Sequence, residues 1–307
     1  MNKKIAVLLG GVSAEKKVSL ETGKYVAKSL DEQGYIVKKI KVSSNKKLLI
    51  KNLKIFKPDL VFNALHGTFG EDGQVQKLLD KLKLKYSHSS AKASDIAMDK
   101  KKAKLIFKKI RVPYPDDINV NISNFKNKIK KITFTFPIVI KPVNEGSSVG
   151  VKICENINEL KKYKLKKNIN YLIEEYIPGR ELTVGIFKNK ALDVIELKTK
   201  KKFYDYESKY TKGITKYIIP APIPKKIENK CKEYALKIHK FLKCKSITRT
   251  DFRFDEKKSL GKKLLVLEIN TQPGMTNLSL VPEIAAYRGI KFEDLIEWIL
   301  KDASYNR

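Results

Sequence analysis

Two apolar segments near the carboxyl end carry the most information about the fold: Ser246-Ile-Thr-Arg-Thr-Asp-Phe-Arg-Phe254 and Lys263-Leu-Leu-Val-Leu-Glu-Ile269. Their length and their β-branched and aromatic content predict two strands. Side chains alternate between the faces of a strand, so polar residues at every second position share one face of each. These residues are Arg249, Asp251 and Arg253 in the first strand, Glu268 in the second, and Asn270 directly after it. If the strands pair, two carboxylates and an amide oxygen converge.

This convergence of oxygens has two interpretations. Carboxylate and amide oxygens suit Mg²⁺, which completes its shell with waters and nucleotide phosphates. The alternative is a cross-strand ion pair between arginine and aspartate on a solvated face. Asp251 and Glu268 each interrupt an apolar strand, which favours the metal site.

A glycine- and serine-rich segment lies further upstream, Lys141-Pro-Val-Asn-Glu-Gly-Ser-Ser-Val-Gly150. Such residues can turn several backbone N–H groups and hydroxyls toward one point, an arrangement that binds phosphate oxygens, and Lys141 adds a positive charge. An ordinary hairpin loop is the alternative for this segment taken alone. The segment has neither a Walker A sequence nor a dinucleotide fingerprint.

The first hundred residues alternate between strand and helix patterns, which predicts an α/β domain with a parallel sheet. The predicted strands are 5–9, 35–42 and 59–65, and the predicted helices are 19–30 and 46–56. Polar, glycine-rich loops follow the first and third strands, where open α/β sheets bind ligands. Glu15 in the first loop could therefore hold a substrate ammonium. His66 in the second loop is either a ligand contact or a structural histidine.

Closely spaced short strands from residue 132 onward predict antiparallel sheet and an α+β region. These strands are 137–141, 149–154, 171–176, 182–187 and 191–197. Further helices are expected at 74–82, 93–110, 225–242 and around 292–299. The stretch 204–216 is polar and aromatic without periodicity, which indicates a surface loop of functional length.

Composition limits the possible function classes. The chain has 307 residues, of which 42% are apolar, enough for one large core or several small ones. We expect neither a membrane span nor a secretion signal, because the apolar runs are short. Three cysteines without CxxC spacing indicate buried thiols in a reducing cytoplasm rather than disulfides or a zinc site.

The formal net charge of +32 suggests a polyanionic partner. However, 59 of the 65 basic residues are lysines. Proteins that bind nucleobases or phosphates through two parallel hydrogen bonds use arginine more often than lysine. The charge therefore looks like a general composition bias, and we expect no specific nucleic-acid partner.

Eight segments of the chain, in order, resemble the D-alanine-D-alanine ligase family of the ATP-grasp superfamily. They are GGVSAEKKVSL, ALHGTFGEDGQVQ, MDK at 98–100, IKPVNEGSSVGV, LIEEYIPGRELTV, FYDYESKY, TRTDF and LEINTQPGMTNLSLVP. The resemblance runs from Ile5 to Leu300. It implies a three-domain ATP-grasp architecture: a Rossmann-like α/β domain at 1–96, a small α+β domain at 97–182, and a C-terminal domain at 183–307 with a lid loop at 204–216.

The resemblance also implies roles for individual residues. ATP would lie between the central and C-terminal domains, against Lys100, Lys141, Ser148, Glu174, Glu175, Ile177, Glu181, Phe203 and Lys209. Two Mg²⁺ or Mn²⁺ ions would bind Asp251, Glu268 and Asn270. Substrate contacts and catalytic roles would fall to Glu15, His66, Ser147, Tyr210, Arg249, Gly274, Ser279 and Leu280.

The implied reaction joins two D-alanines through an acyl phosphate, as a step of peptidoglycan synthesis by a cytoplasmic homodimer. One alternative is a depsipeptide ligase that joins D-alanine to D-lactate, which the lid residue Tyr210 argues against. An alternative of a different class is a basic protein that binds nucleic acid without catalysis.

Overall fold

The computed structural model describes residues 3–199, 214–259, 263–276 and 279–306. Within these ranges, the strands form a three-stranded parallel sheet, a four-stranded antiparallel sheet and a five-stranded antiparallel sheet. The expected combination of α/β and α+β regions is confirmed. No helix in the described ranges is long and apolar enough to cross a membrane.

The parallel sheet has the strand order β2-β1-β3. Its elements are β1 (Lys4–Gly10), α1 (Lys16–Glu32), β2 (Ile36–Val42), α2 (Lys46–Phe56), β3 (Leu60–Asn63) and α3 (Gln74–Lys81). The central strand β1 is buried along nearly its whole length because helices or other strands cover both faces. Since β1 and β3 are parallel, the loops after them leave from the same edge of the sheet.

The four-stranded sheet has the order β4-β7-β5-β6. Its elements are β4 (Asp117–Val120), α6 (Phe125–Lys128), a 3₁₀ turn (Ile129–Lys131), β5 (Ile138–Pro142), β6 (Lys152–Cys154), α7 (Ile157–Lys161) and β7 (Tyr171–Glu175). Strand β4 was not predicted, because its alternation of polar and apolar residues covers only four positions. The predicted strand at 149–154 is shorter than expected and begins at Lys152.

The five-stranded sheet has the order β10-β9-β8-β11-β12. It contains β8 (Arg180–Phe187), β9 (Lys190–Thr199), β10 (Thr215–Ile218), β11 (Ile247–Phe254) and β12 (Leu264–Asn270), with helices α8 (Lys225–Phe241), α9 (Leu280–Tyr287) and α10 (Phe292–Lys301). The predicted end of the loop at 204–216 is wrong, because Thr215 and Lys216 already belong to β10 and pair with β9. Helix α9 was not predicted either.

The single helix expected at 93–110 is wrong: the chain forms α4 (Ala91–Met98) and α5 (Lys100–Lys109). Asp99 between them has an extended backbone, and its carboxylate accepts a hydrogen bond from the Lys102 N–H at 2.9 Å, which caps α5. The break places Lys100 at the start of α5, where its N–H donates to the Val143 carbonyl at 3.1 Å. The side chain of Lys100 is thereby brought to the glycine- and serine-rich loop.

One apolar cluster joins the parallel sheet to the five-stranded sheet. It includes Val7 and Phe62 from the first sheet, Ile195 from the second, and Val281 and Ile299 from helices α9 and α10. A second cluster packs α4, α5 and α8 against the other face of the five-stranded sheet. This packing fixes the loops at the ends of β1, β3, β11 and β12 relative to one another.

Candidate active site

Two adjoining cavities of about 430 Å³ and 110 Å³ lie where these loops and sheets meet. Lys100, Glu145 and Glu268 line both cavities. The two cavities therefore meet at these three residues, and ligands bound in both would contact each other there.

The smaller cavity collects the residues expected to bind ATP from both antiparallel sheets. Its lining includes Lys100, Lys141, Ser148, Glu174, Glu175, Ile177 and Glu181. These are all of the expected ATP residues that lie within the described ranges. Phe203 and Lys209 lie outside them, as does the expected catalytic residue Tyr210.

Glu174 is the most buried charge in the smaller cavity, with a side chain only 3% exposed. One carboxylate oxygen lies 2.6 Å from the Lys141 ammonium and the other lies 2.8 Å from the Lys104 ammonium. Burial alone would raise the pKa of this carboxyl, but the two ammonium groups outweigh burial and hold the pKa below its ordinary value. The cavity wall therefore carries an ionised carboxylate with two cationic partners.

The glycine- and serine-rich loop turns sharply over the junction of the cavities. Ser147 and Ser148 have left-handed backbones with φ of 47° and 61°. The Ser147 hydroxyl donates to Glu15, and the Lys100 ammonium donates to the Glu145 carbonyl at 2.6 Å. A Cβ at Gly146 would lie only 2.7 Å from a Glu15 oxygen, so a larger residue there would displace the Glu15 carboxylate.

Strands β11 and β12 pair as expected, with Asp251 opposite Glu268 and Arg249 opposite Asn270. Asp251 accepts hydrogen bonds from the Arg249 guanidinium at 2.8 Å and from the Thr183 hydroxyl at 2.6 Å. The arginine–aspartate pair thus exists, but it lies within one strand rather than across two, and both side chains are largely buried rather than solvated. Asp251 lines the smaller cavity.

The expected metal ligands Asp251, Glu268 and Asn270 lie together at the cavities. Across the described ranges, no cluster of three or more His, Cys, Asp and Glu side chains is arranged to hold a metal. The donor set is instead two carboxylates and one amide, all oxygen ligands, which fits Mg²⁺ or Mn²⁺ with further oxygens supplied by phosphates and water. The Lys100 ammonium lies 3.7 Å from the Glu268 carboxylate.

The larger cavity collects the remaining expected residues. Glu15, His66, Ser147, Arg249, Asn270, Gly274, Ser279 and Leu280 all line it. Glu15 comes from the loop after β1 and His66 from the loop after β3, which meet because these strands are parallel neighbours. The structure thus brings together expected residues from five separate parts of the chain.

His66 is buried between two polar partners. Its Nδ1 lies 2.7 Å from a Glu71 oxygen, and its Nε2 lies 3.0 Å from the Thr22 hydroxyl. Burial lowers the pKa of His66, but the hydrogen bond and charge of Glu71, with the charge of Glu15, outweigh this and raise the pKa above its ordinary value. These bonds fit a structural histidine, and the position of His66 in the lining of the larger cavity also fits the ligand contact.

The loop after β12 closes the far side of the larger cavity. The Ser279 hydroxyl accepts from the Thr276 N–H at 3.0 Å, and a Cβ at Gly274 would lie 2.8 Å from that hydroxyl. Gln272 joins this loop to the loop after β3: its side chain donates to the Leu65 carbonyl and accepts from the Asn63 amide at 2.8 Å. The two loops therefore form one hydrogen-bonded wall.

Three of the residues that hold side chains or loops of the site in place were not identified from the sequence. Glu71 lies in the same loop as His66, and its position in that loop is a usable signal. Lys104 lies one turn after Lys100 on α5, but a lysine-rich helix gives no reason to choose it. Gln272 follows Asn270 by two residues and gives no sign of contacting a loop some 200 positions away.

Comparisons with known proteins agree with this arrangement. The family described as D-ala D-ala ligase C-terminus matches residues 106–301. A D-alanine--D-alanine ligase of Pelagibacter ubique (strain HTCC1062) is 51% identical over 312 residues, covering 100% of both chains. The chain belongs to the D-alanine-D-alanine ligase family. The resemblance expected from the sequence is confirmed.

Solved structures of ligases from this family have the same fold. A D-alanine--D-alanine ligase from Bacillus anthracis complexed with ATP has a TM-score of 0.83 at 34% identity, covering 98% of this chain and 97% of that one. A D-Ala:D-Ser ligase from Enterococcus faecalis has a TM-score of 0.80 at 26% identity, covering 98% and 99%. The expected ATP-grasp fold is confirmed, and the family includes ligases named for different second substrates.

Proposed function

We propose that this chain is an ATP-dependent ligase that joins two D-alanines and releases ADP and phosphate, in the cytoplasm, for peptidoglycan synthesis. The observation that carries the proposal is the junction of the two cavities at Lys100, Glu145 and Glu268. A reaction that phosphorylates one amino acid and then joins it to another needs the phosphate donor to end where the amino-acid site begins. The substrates named for the relatives in this family support the assignment.

In this assignment the smaller cavity holds ATP. Lys100 and Lys141 neutralise charge on the phosphates, and Ser148 lies in the loop above them. The segment Glu174–Ile177 holds the base, and Glu181 binds the ribose hydroxyls. Support comes from the convergence of all these residues on one cavity.

Asp251, Glu268 and Asn270 would hold two Mg²⁺ or Mn²⁺ ions. Such ions, when bound, neutralise charge on the transferred phosphoryl group. The protein's own contribution is orientation: Arg249 and Thr183 fix the Asp251 carboxylate, and the Gln272 N–H fixes the Asn270 amide oxygen at 2.7 Å. Lys100 places its ammonium beside Glu268 at the junction.

The larger cavity holds the two D-alanines. Glu15, oriented by Ser147, binds the ammonium of the first, and His66 lies near its carboxylate. That carboxylate attacks the γ-phosphate of ATP and displaces ADP, which gives an acyl phosphate. The ammonium of the second D-alanine loses a proton, and the resulting amine attacks the acyl carbon and displaces phosphate. Arg249 and the Gly274 N–H donate to the oxyanion that forms, and an oxyanion donor is typically worth about 3 to 4 kcal/mol.

Ser279 and Leu280 line the pocket for the carboxylate of the second D-alanine in this proposal. Their position in the larger cavity, beyond Gly274, supports it. The family resemblance assigns the lid to the part of 204–216 that precedes β10, where it would exclude water from the acyl phosphate. Phe203, Lys209 and Tyr210, which the same resemblance assigns to the site, lie outside the described residues. We also propose domains at 1–96, 97–182 and 183–307 and a homodimer as the working assembly.

Product identification tests the proposal. Purified protein is incubated with ATP, Mg²⁺ and an equimolar mixture of D-alanine, D-serine and D-lactate, and products are identified by mass spectrometry alongside phosphate release. We expect D-alanyl-D-alanine as the main product. D-alanyl-D-lactate as the main product identifies a depsipeptide ligase instead. No phosphate release with any mixture, together with salt-sensitive binding of nucleic acid, contradicts the ligase assignment.

A further inference from the structure

Lys104 is a buried lysine that lines neither cavity. It is 4% exposed and lies one helical turn after Lys100 on α5. Its ammonium contacts three oxygens: the Pro115 carbonyl at 2.9 Å, Asp117 at 3.1 Å and Glu174 at 2.8 Å. The ammonium donates hydrogen bonds to Pro115 and Asp117, and its contact with Glu174 is an ion pair.

Glu174 connects Lys104 to the smaller cavity. The carboxylate lies between two ammonium groups, with Lys104 on one oxygen and Lys141 on the other. If Lys104 were absent, Lys141 would be the one ammonium group paired with the Glu174 carboxylate among these two. The carboxylate would then compete with a nucleotide phosphate for the Lys141 ammonium. With Lys104 present, the carboxylate is shared, and its orientation is fixed from the side opposite the cavity.

We propose that Lys104 is a positioning residue for the nucleotide: it holds the Glu174 carboxylate in the cavity wall and thereby leaves the Lys141 ammonium available to a polyphosphate. The inference rests on the proposed assignment of ATP to the smaller cavity. It also has a consequence for the base. A carboxylate only accepts hydrogen bonds, so a fixed Glu174 favours a purine with an exocyclic amine over one with an oxygen at the same position.

The test compares Lys104→Met with Lys102→Met. Both lysines lie on α5 and both pair with a carboxylate, but Lys102 pairs with Asp95 at the surface, where its side chain is 47% exposed. Lys104→Met should raise the KM for ATP by about 10- to 100-fold, as loss of an orienting partner does elsewhere. The kcat at saturating ATP should change by less than about threefold, because no contact to the reacting atoms is lost. Lys102→Met should change neither.

Two further measurements separate positioning from general destabilisation. The preference for ATP over ITP, which differ by an amine and an oxygen on the purine, should fall in Lys104→Met. In a double-mutant cycle, Lys104→Met should have little additional effect on the KM in the Glu174→Gln background, since Lys104 acts through that carboxylate. Independent effects of the two substitutions would overturn the proposal, as would an unchanged KM for ATP in Lys104→Met.

Calorimetric titration with ADP keeps this test independent of the proposed reaction. Lys104→Met should bind ADP more weakly than both the wild type and Lys102→Met do. The increase in its Kd for ADP should equal the increase in its KM for ATP. If the wild type binds ADP but forms no dipeptide, the proposed function fails while the test of Lys104 stands. The Met variant should fold, because Glu174 keeps Lys141 as a partner. Should it not fold, Lys104→Gln, which removes the charge but can still donate a hydrogen bond to the Pro115 carbonyl, must weaken ADP binding, or the proposal is wrong.

Discussion

The protonation of His66 depends on one neighbour. Glu71 is 2.7 Å from Nδ1 and supplies the hydrogen bond and charge that raise the pKa against the effect of burial. In Glu71→Gln, burial should prevail, so the pKa of His66 should fall below that of the wild type. NMR titration of the imidazole checks this. Because an imidazolium is present only below its pKa, the KM for the first D-alanine should begin to rise at lower pH in the variant.

Glu32→Gln is the control for this change, since Glu32 is a surface residue of α1 that pairs only with Lys28 at 3.7 Å among the described contacts. It should leave the imidazole titration where it is in the wild type. An equal pKa of His66 in wild type and Glu71→Gln shows that Glu71 does not hold the proton.

Glu268 is the carboxylate at the junction of the two cavities. Glu268→Gln keeps the shape of the side chain and removes its charge, so divalent cations should bind more weakly and kcat should fall by about 10²- to 10³-fold, comparable to the loss of one charge-stabilising group. Titration of activity against Mg²⁺ measures both effects. Glu256→Gln, an exposed carboxylate 58% accessible, should behave as wild type. A wild-type Mg²⁺ dependence in Glu268→Gln contradicts the metal assignment.

At the scale of elements, the strand pairs that form the site were predictable and the helix ends were not. Asp251 and Glu268 stand out as charged residues in apolar strands. Because side chains alternate between the two faces of a strand, each can be assigned to the same face as the other polar residues of its strand. The break at Asp99 was not predictable in this way, because apolar and lysine positions continue through it without glycine or proline. A single capping aspartate, held by the Lys102 N–H, decides the break.

The loop-to-loop contact of Gln272 could not be predicted for a related reason. Nothing local specifies that the loop after β12 meets the loop after β3; the meeting follows from how α1, α9 and α10 pack the two sheets together. Sequence patterns report which face of an element is buried, but not against which other element. Of the residues that line the larger cavity, Glu15, His66, Arg249 and Asn270 were indicated by patterns, whereas Gly274, Ser279 and Leu280 were obtained from the family resemblance alone.

Gln272→Leu tests whether the wall made by these loops matters. The substitution is close in volume and buried, but it removes the hydrogen bonds to Leu65 and Asn63 and leaves a buried carbonyl and amide without them, which costs about 1 to 3 kcal/mol each. The melting temperature should fall. The kcat/KM for D-alanine should fall more than the KM for ATP rises, because the wall lines the larger cavity only. Equal loss at both substrates indicates general destabilisation, and Gln33→Leu at the surface end of α1 is the control.

At the scale of the molecule, the net charge of +32 has a predicted effect on substrate binding rather than on fold. ATP is a polyanion, whereas D-alanine is a zwitterion without net charge. Raising monovalent salt from about 20 mM to about 200 mM shortens the screening length severalfold. The KM for ATP should therefore rise with salt while the KM for D-alanine stays nearly constant. Steady-state kinetics across the salt series measures both.

A parallel rise in the two KM values would show that salt acts on the fold and not through the charge of the nucleotide. A KM for ATP that does not change with salt would show that the surface lysines do not contribute to the binding of ATP.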